Sequence, residues 1–105
     1  MIATTPKAPY YAVIFTTLRT EVDDDYLKTA DRMEELAKEQ DGYLGIESAR
    51  NELGITVSYW RDLEAIKSWR NNTEHTLARE MGREKWYNTF KLRICKVERD
   101  YAFEK

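Results

Sequence analysis

The hydrophobic periods along this chain predict an α+β domain of ferredoxin-like type, βαββαβ, whose four-stranded antiparallel sheet carries its helices on one face. Three observations predict it. Four stretches are rich in the aromatic and β-branched residues that suit a pleated surface, the stretches between them repeat apolar residues at helical spacing, and the joints carry capping or turn residues.

Tyr10 to Arg19, YYAVIFTTLR, reads as the first strand. Asp23, Asp24 and Asp25 then offer N-cap oxygens and favourable charge for a helix start. From Tyr26 the apolar Leu27, Ala30, Met33, Leu36 and Ala37 recur at helical spacing, with Lys28, Asp31, Arg32, Glu35 and Lys38 on the other side, until Asp41-Gly42 stops the helix. Tyr43 to Arg50 is the second strand, Asn51 to Gly54 a turn, and Ile55 to Arg61 the third strand, returning antiparallel. Asp62 is placed to cap a short helix, Leu63 to Arg70, with Ile66 and Trp69 on one face. Asn71-Asn72-Thr73 interrupts it. A second helical segment runs from Glu74 to about Tyr87, with His75, Ala78, Gly82 and Trp86 along one line of the cylinder, and Thr89 to Phe103 closes the chain as an alternating strand. Residues 1–9 read as a loose tail and residues 10–105 as a single domain.

Composition excludes several functions. A chain of 105 residues supports one modest core. A net charge of -2 and a pI near 5.5 leave no basic footprint for nucleic acid or an anionic membrane surface, and the sheet lacks the glycine-aromatic signature of RNA-binding sheets. No apolar run approaches the roughly 20 residues that span a bilayer, and MIATTPKAP lacks an apolar signal core, so the expected location is the cytoplasm. One cysteine, Cys95, and one histidine, His75, form no metal-ligand spacing, so no metal is expected.

The strands also predict a homodimer. Helices cover one face of such a sheet, yet both alternating sets of the first strand are apolar: Tyr11, Val13 and Phe15 against Tyr10, Ala12 and Ile14. The last strand repeats this with Phe90, Leu92 and Ile94 against Cys95, Val97, Tyr101 and Phe103. Fifteen residues would extend roughly 50 Å, too long for one small sheet, so Val97 to Phe103 is expected to reach a second copy whose sheet packs face to face with this one.

His75 leads the candidate chemistry, being the one side chain that titrates near neutrality and lying in a first helical turn, where the helix dipole disfavours imidazolium. Trp69 precedes it by six residues, and with Trp60 and Trp86 it would line a cavity suited to a flat aromatic ligand, although core packing suffices to explain a tryptophan. Thr16, Thr17 and Tyr59 would supply directed hydrogen bonds, and Arg79, one turn beyond His75, would hold an anionic group. Glu47 is expected to pair across the sheet with Arg93 or Arg99.

The stretches YYAVIFTTLRT, DGYLGIESAR, GITVSYWRDLEAIKSWRNNTEH and RICKVERDYAF together resemble the antibiotic biosynthesis monooxygenase superfamily from about Tyr10 to Phe103. The most specific part is Trp60 followed by Trp69, with Ala65 and Ile66 between them and Glu74-His75 after. The resemblance implies a dimeric α/β barrel, a cleft between helices and sheet, and oxidation of polycyclic phenols or anthrones by dioxygen without metal, flavin or haem. It further implies that His75 helps deprotonate the substrate, Trp69 positions its ring, and Thr17 or Arg79 steadies oxygen; Tyr59 and Trp86 are read from the residues themselves as substrate contacts. A haem-degrading branch of the superfamily uses an asparagine, a tryptophan and a histidine ligand; the matching positions here are Thr17, Trp69 and Arg79, and arginine is no ordinary axial ligand. A binding or stress-associated protein without turnover is the alternative from another class.

Overall fold

The computed structural model describes residues 1–105, which form strand β1 (Tyr10–Arg19), helix α1 (Tyr26–Lys38), strands β2 (Tyr43–Arg50) and β3 (Leu53–Trp60), helices α2 (Leu63–Asn71) and α3 (Thr73–Met81), a π-helical turn (Gly82–Trp86) and strand β4 (Tyr87–Val97). The strands lie in the order β2-β3-β1-β4, every neighbouring pair antiparallel. This is the ferredoxin-like arrangement expected from the sequence. No helix is long and apolar enough to cross a membrane.

Strand register assigns the faces, because residues directly opposite each other point the same way. Tyr11, Val13, Phe15 and Thr17 of β1 share the helix-covered face with Trp60, Ser58, Thr56 and Gly54 of β3. There the core forms. Trp60 is fully enclosed by Ala37 of α1 and Ala65 and Ile66 of α2, with Tyr11, Val13, Tyr43 and Trp69 packed around this cluster. Burying an aromatic or branched side chain of this size contributes about 1.5–3 kcal/mol, so Trp60 is the anchor of helix-to-sheet packing.

Local chemistry sets the element ends. Asp62 caps α2 as expected, its carboxylate accepting the Ala65 N–H at 2.8 Å. Asn72 ends α2 and begins α3, its amide oxygen accepting the His75 backbone N–H at 3.0 Å. Gly42 takes φ +86°, and a Cβ there would come within 2.5 Å of the Ala65 Cβ; only glycine lets the chain turn this closely beneath α2.

Four expectations need correction. The aspartates before α1 do not cap it with their side chains: Asp25 adopts φ 59°, the Asp23 carboxylate binds Arg19, and the backbone carbonyls of Asp23 and Asp24 accept from Tyr26 and the Trp86 indole. Leu27 and Ala30 face solvent, because the buried stripe of α1 runs instead through Tyr26, Thr29, Met33, Leu36 and Ala37. Strand β3 begins two residues early and ends at Trp60, and the β4 ladder stops at Val97, opposite Tyr10, the first residue of β1. Glu47 pairs with neither Arg93 nor Arg99; its carboxylate accepts the Tyr59 hydroxyl at 2.6 Å and the Ala3 N–H at 2.8 Å, tying residues 1–9 to the sheet.

The face away from the helices carries Tyr10, Ala12, Ile14, Thr16 and Leu18 of β1 beside Tyr59, Val57, Ile55 and Leu53 of β3. It is apolar along its middle. Residues 98–105 leave the sheet without regular structure, and Tyr101 and Phe103 are 97% and 86% exposed.

Candidate active site

The junction of α2 and α3 brings two of the expected residues together. The Asn72 cap ends one helix and starts the next within a single residue, which folds the first turn of α3 back over the last turn of α2. The His75 imidazole consequently stacks on the Trp69 indole, ring centroids 4.1 Å apart and planes 11° from parallel, and Trp69 stacks in turn on buried Trp60 at 6.1 Å. Aromatic pairs of this kind contribute about 0.5–1.5 kcal/mol beyond area burial, so the histidine ring is held flat rather than swinging in solvent.

Its second contact fixes the tautomer. His75 Nδ1 lies 2.9 Å from the Trp69 carbonyl oxygen, which can only accept, so the neutral ring carries its proton on Nδ1. Nε2 is left as a bare lone pair with no protein hydrogen-bond partner. Burial lowers the His75 pKa below its usual value; the Trp69 carbonyl works in the opposite direction, and the nearby Arg79 guanidinium adds to the depression. The result is a neutral, oriented base at physiological pH.

The helix-covered face of the sheet also carries an apolar strip. Val13 and Trp69 pack against the same core cluster, and Phe15 and Thr17 follow Val13 on the same face of β1. Across the register, Ile94, Leu92 and Phe90 of β4 continue the strip outward, uncovered by any helix and 51%, 47% and 38% exposed. At its far end Phe15 meets Tyr87 and Phe90 edge-on or tilted at 5.5 and 5.6 Å, and Tyr87 meets Tyr26. Burial and the Tyr26 hydroxyl raise the Tyr87 pKa, with Arg50 and Arg19 opposing them. Phe15, Tyr26, Tyr87 and Phe90 thus form an aromatic cluster at the end of the strip.

The other expected residues are dispersed. Thr17 is buried at the far end of the strip, its hydroxyl accepting from Arg50. Arg79 turns toward α2, donating to the Arg70 carbonyl at 3.3 Å and the Thr76 hydroxyl at 3.5 Å, and acts on His75 only through its charge. Trp86 is buried, fixed by its indole N–H to the Asp24 carbonyl at 3.0 Å and set edge-on to Tyr26. Tyr59 lies on the opposite face of the sheet from Trp69, against Tyr10 and Glu47, where burial and the Glu47 carboxylate push its pKa up to about 12. The sheet therefore separates Tyr59 from the cleft. Cys95 is also on that far face, opposite Ala12.

A groove of about 430 Å³ lies elsewhere, between α1 and α3, lined by Met33, Leu77, Ala78, Met81 and Trp86 and bordered by the Arg32–Glu74 ion pair at 2.7 Å. Neither Trp69 nor His75 lines it. Arg50, Phe15, Tyr26, Tyr87 and Phe90 were not legible as a cluster before the strands were paired. Strand parity carries the signal, since Phe15 and Thr17 must share a face and Arg50, opposite Gly54, must join them.

Comparison with known proteins agrees with this fold. A family model described as antibiotic biosynthesis monooxygenase matches residues 9–81. The uncharacterized protein YqjZ of Bacillus subtilis strain 168 is 48% identical over 105 residues, covering 98% of this chain and 92% of its own length. Among solved structures, SnoaB, a cofactor-independent oxygenase from Streptomyces nogalater, superposes with a TM-score of 0.75 at 10% identity, covering 89% of this chain and 97% of that one. Rv0793 from Mycobacterium tuberculosis gives 0.76 at 15% identity, with coverage of 91% and 100%. At such identities the two structures speak for the fold alone.

Proposed function

This chain belongs to the antibiotic biosynthesis monooxygenase family, and from that premise we propose that it is a cofactor-independent monooxygenase acting on a small aromatic or polycyclic phenolic substrate in the cleft between helices and sheet. One observation carries the proposal: His75 is stacked on Trp69 with Nδ1 committed to a carbonyl, so that a neutral Nε2 is left without a protein partner. In this reading Nε2 takes a proton from an anthrone-type phenol lying along Trp69 and Phe15. The resulting anion is electron-rich enough to reduce dioxygen itself. A new C–O bond places one oxygen atom on the ring as a hydroperoxide, and loss of water carries away the other and leaves a quinone carbonyl.

The working unit is proposed to be a homodimer in the cytoplasm, its open sheet faces packed together and residues 98–105 reaching the partner. The apolar middle of that face, Ile14, Ile55 and Val57, and the exposed Tyr101 and Phe103 support this reading. The haem-degrading alternative is disfavoured by Arg79, which sits where that branch places its iron ligand and is bound to the Arg70 carbonyl. Oxygen-electrode assays with hydroxylated polycyclic aromatics test the proposal. Uptake by wild type that falls at least a hundredfold in His75→Ala, on the order expected for loss of a general base, supports it; ligand binding without uptake makes the chain a binding protein instead.

A further inference from the structure

Arg50 is the last residue of β2, and its side chain does something its neighbours do not. Register places Arg50, Gly54, Thr17 and Phe90 in one row across all four strands, on the helix-covered face. Gly54 has no side chain, and the Arg50 guanidinium occupies that space: a Cβ on Gly54 would collide with Nη2, Cζ and Nε of Arg50. Crossing β3 in this way, Arg50 reaches the Thr17 hydroxyl on β1. The guanidinium is thus held at one nitrogen in the space beside Gly54.

It is also uncompensated. Arg19, Arg32 and Arg61 each hold a carboxylate, at 2.9, 2.7 and 3.0 Å, whereas Arg50 forms no ion pair. The aromatic ring that feels its charge is Tyr87, which meets Phe15, and Phe15 in turn meets Phe90. A planar cation with a free edge beside an aromatic cluster suits a carboxylate attached to a ring, since its fork of N–H groups donates to two oxygens in its own plane. Val13 to Thr17 spans about 13 Å along β1, enough for a two- or three-ring system between the Trp69 end and Arg50.

We propose that Arg50, laid across Gly54 onto Thr17, is the specificity determinant of the cleft and selects aromatic ligands that carry a carboxylate. The inference rests on the cleft being the aromatic site, and adds to it the charge of the substrate and the end at which that charge is held. His75 then meets the ring at the opposite end from the acid group.

Equilibrium binding of 2-naphthoate and its uncharged analogue 2-naphthamide, followed by tryptophan fluorescence on the full chain, separates the two claims. Wild type is expected to bind naphthoate about tenfold more tightly than naphthamide, the scale of one charge-assisted hydrogen-bonded contact. Arg50→Met removes that preference while leaving naphthamide affinity within about twofold; Arg50→Lys retains part of it. Gly54→Ala, which keeps the charge but displaces the guanidinium from its seat, lowers the preference as well. Equal affinity of wild type for both probes, or a preference that survives Arg50→Met, overturns the assignment of Arg50 while leaving the aromatic cleft in place. Failure of either probe to bind at millimolar concentration overturns the cleft reading and this inference together.

Discussion

At the scale of single residues the site depends on one ring held in one tautomer. The Trp69 carbonyl accepts from Nδ1–H and its indole face fixes the plane, so a single residue sets both the protonation and the orientation of His75. Because burial depresses the His75 pKa, proton abstraction is expected to rise through a midpoint below 6.5 and stay flat above it. The profile of kcat/KM against pH, or the imidazole carbon-bound proton shifts in NMR, checks this; a midpoint above 6.5 contradicts it. The same shift has a stability counterpart. Between the folded and unfolded pKa values the unfolded chain binds more protons, so stability is fully present above about pH 6.5 and declines as pH falls toward the folded value. Pairing Trp69 with His75 was legible in sequence because both sit at the termini of adjoining short helices. Tyr59 was not placed correctly relative to them because hydroxyl chemistry, not strand parity, singled it out: parity sets it opposite Ala12, on the far side from Trp60.

At the scale of elements, the junctions matter more than the propensities. Asn72 serves two helices at once, and Asn72→Ala is expected to cost about 1 kcal/mol in denaturant unfolding while loosening the His75 stack, visible as a His75 pKa closer to the usual value. Gly42→Ala meets both a left-handed φ and a 2.5 Å approach to Ala65, so a loss of about 2 kcal/mol or more is expected from chemical denaturation. A loss below about 0.5 kcal/mol at Gly42 would contradict the packing described for α2. Helix and strand identities followed from periodicity, and Asp62 from its spacing to Leu63. The aspartate triplet misled because three carboxylates in a row compete for partners: Arg19 took Asp23, and the backbone at Asp25 turned left-handed. The extent of β4 was overestimated because alternation continues through Tyr101 and Phe103 after the neighbouring strand has ended.

At the scale of the whole molecule the two faces of the sheet have separate tasks. One holds the helices and the cleft; the other presents Ile14, Ile55 and Val57, a surface that an isolated small domain would not leave apolar. Light scattering is expected to give twice the 12.5 kDa chain mass, and Ile55→Asp, at a position 41% exposed in the single chain, to return the monomer with its secondary structure intact. Wild-type protein that is monomeric at micromolar concentration would contradict that division. The fold was readable in sequence because it is encoded by repeated patterns; the cleft's far end was not, since Arg50, Gly54, Thr17 and Tyr87 come from separate strands and meet only through register. The central claim is that the neutral His75 at Trp69 turns a bound phenol into a reductant for dioxygen. Mass spectrometry of the product after turnover of an anthrone-type substrate under isotopically labelled dioxygen tests it most directly: wild type is expected to place one labelled oxygen atom in the quinone and His75→Ala almost none, whereas unlabelled product, or equal labelling by both proteins, would contradict it.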